Sequence, residues 1–131
     1  MEKQSILNEL YLLDKGVRDC FCETVIDPED LDYIIGEAVH HNYYVYTHEF
    51  EDECDKKTTY IVYVCKYNYQ KIMLHKMYTD SNIDKFTREY IEGTLLGYSA
   101  QSMEEYLMKM IVNDSIDSVE SGKPVKISAP V

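Results

Sequence analysis

At 131 residues the chain has room for one domain and not for two of ordinary size. Its composition, 45% hydrophobic and 28% charged, is that of a chain with a core and argues against intrinsic disorder. A net charge of −11 argues against direct binding to nucleic acid phosphates or anionic membranes, and no apolar run approaches the ~18–20 residues of a membrane span.

In chain order, Ile6, Leu7, Leu10, Tyr11 and Leu13 recur close to helical spacing, and Gly16 offers a stop after them. Residues 17–26 show no helical stripe and read as a short strand or a linker. Asp27-Pro28-Glu29-Asp30 is a helix start: Asp27 is a capping residue, Pro28 suits the first helical position, and acids favour the positive end of the helix dipole. Leu31, Ile34, Ile35, Ala38 and Val39 then mark one helix face.

Residues 43–50 and 58–67 are rich in Tyr, Val, Ile and Thr and predict two strands joined by a long acidic loop, Glu51 to Lys57. Tyr43 and Val45 fall on one side of the first strand; Tyr44, Tyr46 and Phe50 fall on the other. Both faces therefore need covering, by helices or by a partner. Residues 68–78 read as a short helix capped by Asn68 or as a third strand. Ser81 precedes a helix holding Ile83, Phe86, Tyr90, Ile91 and Leu95 and ending at Gly97. Ser99 or Ser102 starts the last helix, the latter with Glu105 as a capping box. The expected fold is α+β, a tyrosine-rich antiparallel hairpin packed with four to five helices in one domain over 1–113. An irregular tail is expected over 114–131.

Thirteen tyrosines, three phenylalanines and no tryptophan give the aromatic content an unusual cast, because every tyrosine hydroxyl needs water or a partner. The first residues contain no basic segment leading into an apolar one, so the expected location is the cytoplasm. Cys20, Cys22, Cys54 and Cys65 are then expected as reduced thiols.

No motif points to catalysis. The Cys20-x-Cys22 pair is one residue too short for a zinc knuckle, and His40 and His41 are adjacent on a helix end, pointing about 100° apart. No metal or other cofactor is expected. The run from Glu49 to Asp55 lacks the central glycine and closing glutamate of a calcium loop. The five glycines form no phosphate-binding pattern. The expectation is a chain that is not an enzyme.

Charge is the informative feature. Residues 1–55 hold fifteen acids and three bases, for −12; residues 56–79 hold five lysines and no acid; residues 80–131 carry −4. Glu29, Asp30, Asp32 and Glu37 on the helix, with Glu49, Glu51, Asp52, Glu53 and Asp55 at the hairpin tip, form a candidate partner-binding set. Tyr43 and Tyr46 join it, since tyrosine offers rigid contact area at low entropic cost. In size, charge and lack of enzymatic motifs the chain resembles small acidic phage and mobile-element proteins of the anti-CRISPR and anti-restriction kind. Phe86 to Ser99 is similar to helices of phage-type proteins. That resemblance implies an inhibitor whose acidic face imitates nucleic acid and docks on a basic, nucleic-acid-handling protein. The alternative is an adaptor that forms a homodimer through its tyrosine hairpin.

Overall fold

The computed structural model describes residues 1–120 and shows five helices and three strands, an α+β fold. Helix α1 spans Lys3–Asp14, strand β1 Cys20–Val25, helix α2 Pro28–His40, strand β2 Tyr44–Glu51 and strand β3 Thr58–Cys65. Helices α3 (Asn68–Thr79), α4 (Lys85–Leu95) and α5 (Ala100–Glu120) follow.

Residues 17–26 do supply a strand. Central β3 pairs antiparallel with β1 on one side and β2 on the other, in the order β1-β3-β2. β1 and β2 therefore run parallel to each other, and α2 is the crossover that leaves a gap for β3 to fill. With β3 paired on both sides, its alternate residues are buried on both faces. Val62 and Val64 meet Ile6, Leu10 and Leu13 of α1 and Ile34 and Ala38 of α2. Tyr63 and Cys65 meet Leu74 and Met77 of α3 and Leu95 of α4. Helices cover both faces of the tyrosine hairpin, so the sheet is the middle of three layers.

Helix ends follow local chemistry. Gly16 (φ 73°) and Gly97 (φ 81°) take the left-handed conformation that closes α1 and α4, with Val17 N–H donating to Leu12 O and Tyr98 N–H to Gly93 O, each at 3.0 Å. Asn42 (φ 62°) does the same after α2. Asp27 holds the capping position of α2, but its side chain makes no capping hydrogen bond; Pro28 fills the first helical position as expected.

Residues 68–78 are helical. The start of α3 is secured by buried Gln70, whose side-chain oxygen accepts from Tyr67 N–H at 3.1 Å, and not by Asn68. α4 begins at Lys85, later than Ser81 suggested. Asp84 caps it by accepting from Thr87 N–H at 2.7 Å, while Asp80 accepts from Asn82 N–H in the preceding turn. Ser99 Oγ accepts from Ser102 N–H at 3.1 Å, so Ser99 is the start signal of α5.

One boundary changes. α5 continues to Glu120, so the irregular segment expected from residue 114 is helical over 114–120. Serine is only a mild helix destabiliser, and the chain meets no glycine or proline until Gly122 and Pro124. The remainder of that expectation, 121–131, lies outside the described residues.

Candidate protein-interaction surface

The register of the sheet decides which acidic residues meet. Val25, the last residue of β1, is opposite Tyr60, and Tyr60 is opposite Glu49. The first turn of α2 follows Val25 within three residues, so it leaves the sheet at the hairpin-tip end. At that level Val25 and Glu49 stand two strand spacings apart, about 10 Å. Val45 packs on the α1–α2 side, and alternation puts Glu49 and Glu51 on that same side. Glu29, Asp32, Glu49 and Glu51 are all exposed. They form one acidic end on one face.

The tip itself is a compact turn. Asp52 N–H donates to Lys57 O and Lys56 N–H to Asp52 O, both at 2.9 Å, with Lys56 in the left-handed region (φ 60°). One oxygen of Asp52 accepts from Cys54 N–H at 2.8 Å, and one of Asp55 accepts from Lys57 N–H at 2.9 Å. These two carboxylates hold the turn and stay exposed, as does Glu53. Lys56 and Lys57 occupy the same turn, so the boundary between acidic and basic sequence at residue 55 is not a boundary in space. The spatial contrast lies between α2 and α3 instead. α2 carries Glu29, Asp30, Asp32 and Glu37 on one side of the sheet; α3 carries Lys71 and Lys76 and no acid on the other.

Besides Asp52 and Asp55, four of the expected contact residues are partly used inside the molecule. Asp30 is half-buried and pairs with the Met1 ammonium at 3.6 Å. Glu37 is half-buried on the flank of α2. Tyr43 packs against the α1–α2 core, stacks on His41 (centroids 5.9 Å, 20° between planes) and donates its hydroxyl to Asp14. Removal from water, and then the Asp14 carboxylate, push the Tyr43 hydroxyl up to about 12. In return the Tyr43 hydrogen bond, helped by His41 at 3.1 Å, holds Asp14 below the usual carboxylate range.

Tyr46 belongs to an aromatic layer under α3. Its ring stacks on Tyr78 (5.8 Å) and meets Tyr63 (6.4 Å) and the edge of His75 (5.9 Å). His48 stacks on Tyr78 at 4.1 Å, and Phe50 on His48 at 6.4 Å. Tyr43 and Tyr46 thus serve the fold, because the helices claim both sheet faces. The outward tyrosines are others: Tyr11, Tyr44, Tyr67, Tyr69, Tyr90, Tyr98 and Tyr106.

Sequence reasoning missed two polar groupings that need register to be seen. Tyr63 and Tyr78 share a hydrogen bond between hydroxyls at 2.6 Å, next to half-buried Glu92 of α4. Cys20 and Cys65 face each other in the core with sulfurs 3.3 Å apart. Among the described residues, no three His, Cys, Asp or Glu side chains are grouped to hold a metal ion, and no helix is long and apolar enough to cross a membrane. Comparison with protein-family models, curated proteins and solved structures finds no match to this chain.

Proposed function

We propose that this chain is a non-enzymatic, protein-binding inhibitor of the anti-CRISPR or anti-restriction kind, docking its acidic end on the basic groove of a phage host's nucleic-acid-handling enzyme. The observation that supports the reading is the shared position of Glu29, Asp32, Glu49 and Glu51 at one end of one sheet face, continued by the tip carboxylates. Duplex DNA presents one phosphate charge per ~1.7 Å of axis, and a mimic must supply carboxylates at closely repeated spacing along one surface. Two strand spacings separate Glu49 from Val25, three residues before α2 begins, and the tip carboxylates follow Glu49 and Glu51 in the chain.

The partner is a basic protein, bound in the cytoplasm in place of its nucleic acid; neither nucleic acid nor membrane is bound directly. The test is affinity capture from a host lysate at low and high salt, followed by competition with duplex DNA or RNA on the captured enzyme. The expected result is a basic nucleic-acid enzyme released by raised salt and by nucleic acid. Binding indifferent to both removes the reading.

The homodimer alternative draws on the seven exposed tyrosines rather than on Tyr43 and Tyr46. A stable dimer in light scattering, with no basic partner captured, favours it.

A further inference from the structure

Cys20 and Cys65 are directly opposite residues on β1 and β3, fully buried, with sulfurs 3.3 Å apart. The next pair outward is bonded, Lys66 N–H donating to Asp19 O at 2.8 Å. The alternation of an antiparallel ladder makes Cys20 and Cys65 a non-hydrogen-bonded pair, the kind whose α-carbons stand closest, near ~4.5 Å. That separation lies within the range a disulfide spans. The two side chains already point at each other, so closure asks for small side-chain rotations and no movement of the strands.

We infer that Cys20 and Cys65 are a redox site, closing into a cross-strand disulfide by exchange with a low-molecular-weight disulfide such as oxidised glutathione. The thiolate of one cysteine attacks a glutathione sulfur and expels one glutathione thiolate, leaving a mixed disulfide. The second cysteine then attacks the protein sulfur of that mixed disulfide and expels the second glutathione. The protein loses two protons and two electrons, and one oxidised glutathione becomes two reduced ones.

β1 is an edge strand, so it can part from β3 at its start without breaking any other strand pairing. That opening admits the oxidant. In the closed sheet the mutual hydrogen bond and burial push the Cys20 thiol up, disfavouring the attacking thiolate and keeping exchange slow. Cys22, on the same sheet face, is half-buried with its thiol raised to about 11 by burial, and Cys54 is exposed at the hairpin tip. Neither faces another cysteine across the ladder.

The test uses the full chain carrying Cys22→Ser and Cys54→Ser, which leaves only the pair. It is incubated folded with oxidised glutathione, trapped with an alkylating agent, and read by intact mass and non-reducing peptide mapping. The expected product has lost two hydrogens and links peptides containing residues 20 and 65. Closing a loop across a sequence separation of 45 residues should also raise the melting temperature on the order of 10 °C. Adding Cys65→Ala should abolish the two-hydrogen loss. Two free thiols after prolonged incubation, a glutathione adduct without a link, or a link that lowers the melting temperature would each overturn the proposal.

Discussion

The carboxylate of Glu92 stands half-buried on α4, against the hydroxyl of Tyr63 and within range of Glu89. Burial first, and then Glu89, raise its pKa above the ordinary value of 4.5, the Tyr63 hydrogen bond working the other way. The folded chain therefore holds this proton to higher pH than the unfolded chain does. The associated stability is complete below 4.5 and is lost as pH rises through the folded value. Glu92→Gln keeps an acceptor for Tyr63 and removes the charge. It should be more stable than the parent in urea at neutral pH, with the difference closing below pH 4.5. An equal difference at both pH values would place the cause elsewhere. Tyr63→Phe tests the other half of the network. It removes one partner of the 2.6 Å hydroxyl pair and should cost about 1 kcal/mol by chemical denaturation. A neutral result would mean that water serves the Tyr78 hydroxyl as well as Tyr63 does.

At the scale of elements, two glycines make opposite demands that one substitution type can separate. Gly97 links α4 to α5 at φ 81°, with nothing within 4 Å of an added β-carbon. Gly97→Ala should therefore lose about 1 kcal/mol from backbone conformation alone. Gly36 lies inside α2 with helical φ and equally open space. Gly36→Ala should gain about 0.5–1 kcal/mol, because alanine lowers the entropy of the unfolded chain without strain. Thermal denaturation of both variants checks the signs. Gly97 was legible in advance because it follows the last periodic residue of an apolar stripe, and so was α2, where Pro28, the first-turn acids and the apolar stripe agree. The start of α4 was not: Ser81 and Asp84 are both capping residues three positions apart, and only the bond from Thr87 N–H selects Asp84. Nor was the pairing of β1, since Cys20 to Val25 carries buried residues on both faces and lacks the alternation of a half-exposed strand.

Across the whole molecule the acids were countable in the sequence, but their arrangement was not. Lys56 and Lys57 read as the beginning of a basic stretch and lie in the acidic turn. Tyr43 and Tyr46 read as contact residues and are claimed by the two helix layers. Asp30 is partly neutralised by an ammonium group far from any sequence neighbour. What remains is a contrast between two helices, with the acids of α2 and the β2 end on one side of the sheet and Lys71 and Lys76 of α3 on the other, where α4 adds both acids (Glu89, Glu92) and bases (Lys85, Arg88). A docking mechanism based on nucleic acid mimicry depends on where the acids of α2 and the β2 end sit and not on the net charge. The combined variant Glu29→Gln, Asp32→Asn, Glu49→Gln and Glu51→Gln should weaken binding to a basic nucleic-acid enzyme on the order of 30-fold at low salt. Most of the loss should appear in the association rate, and the dependence of affinity on salt should flatten. These four side chains are exposed, so the fold and its melting temperature should change little. Lys71→Gln with Lys76→Gln alters net charge by half as much in the opposite sense and lies on the far layer. If only net charge mattered, this second variant would tighten binding measurably; if the acidic end is the docking surface, surface plasmon resonance should find it close to the parent. A four-residue variant that binds as tightly as the parent, with unchanged salt dependence, would show that these carboxylates serve solubility alone.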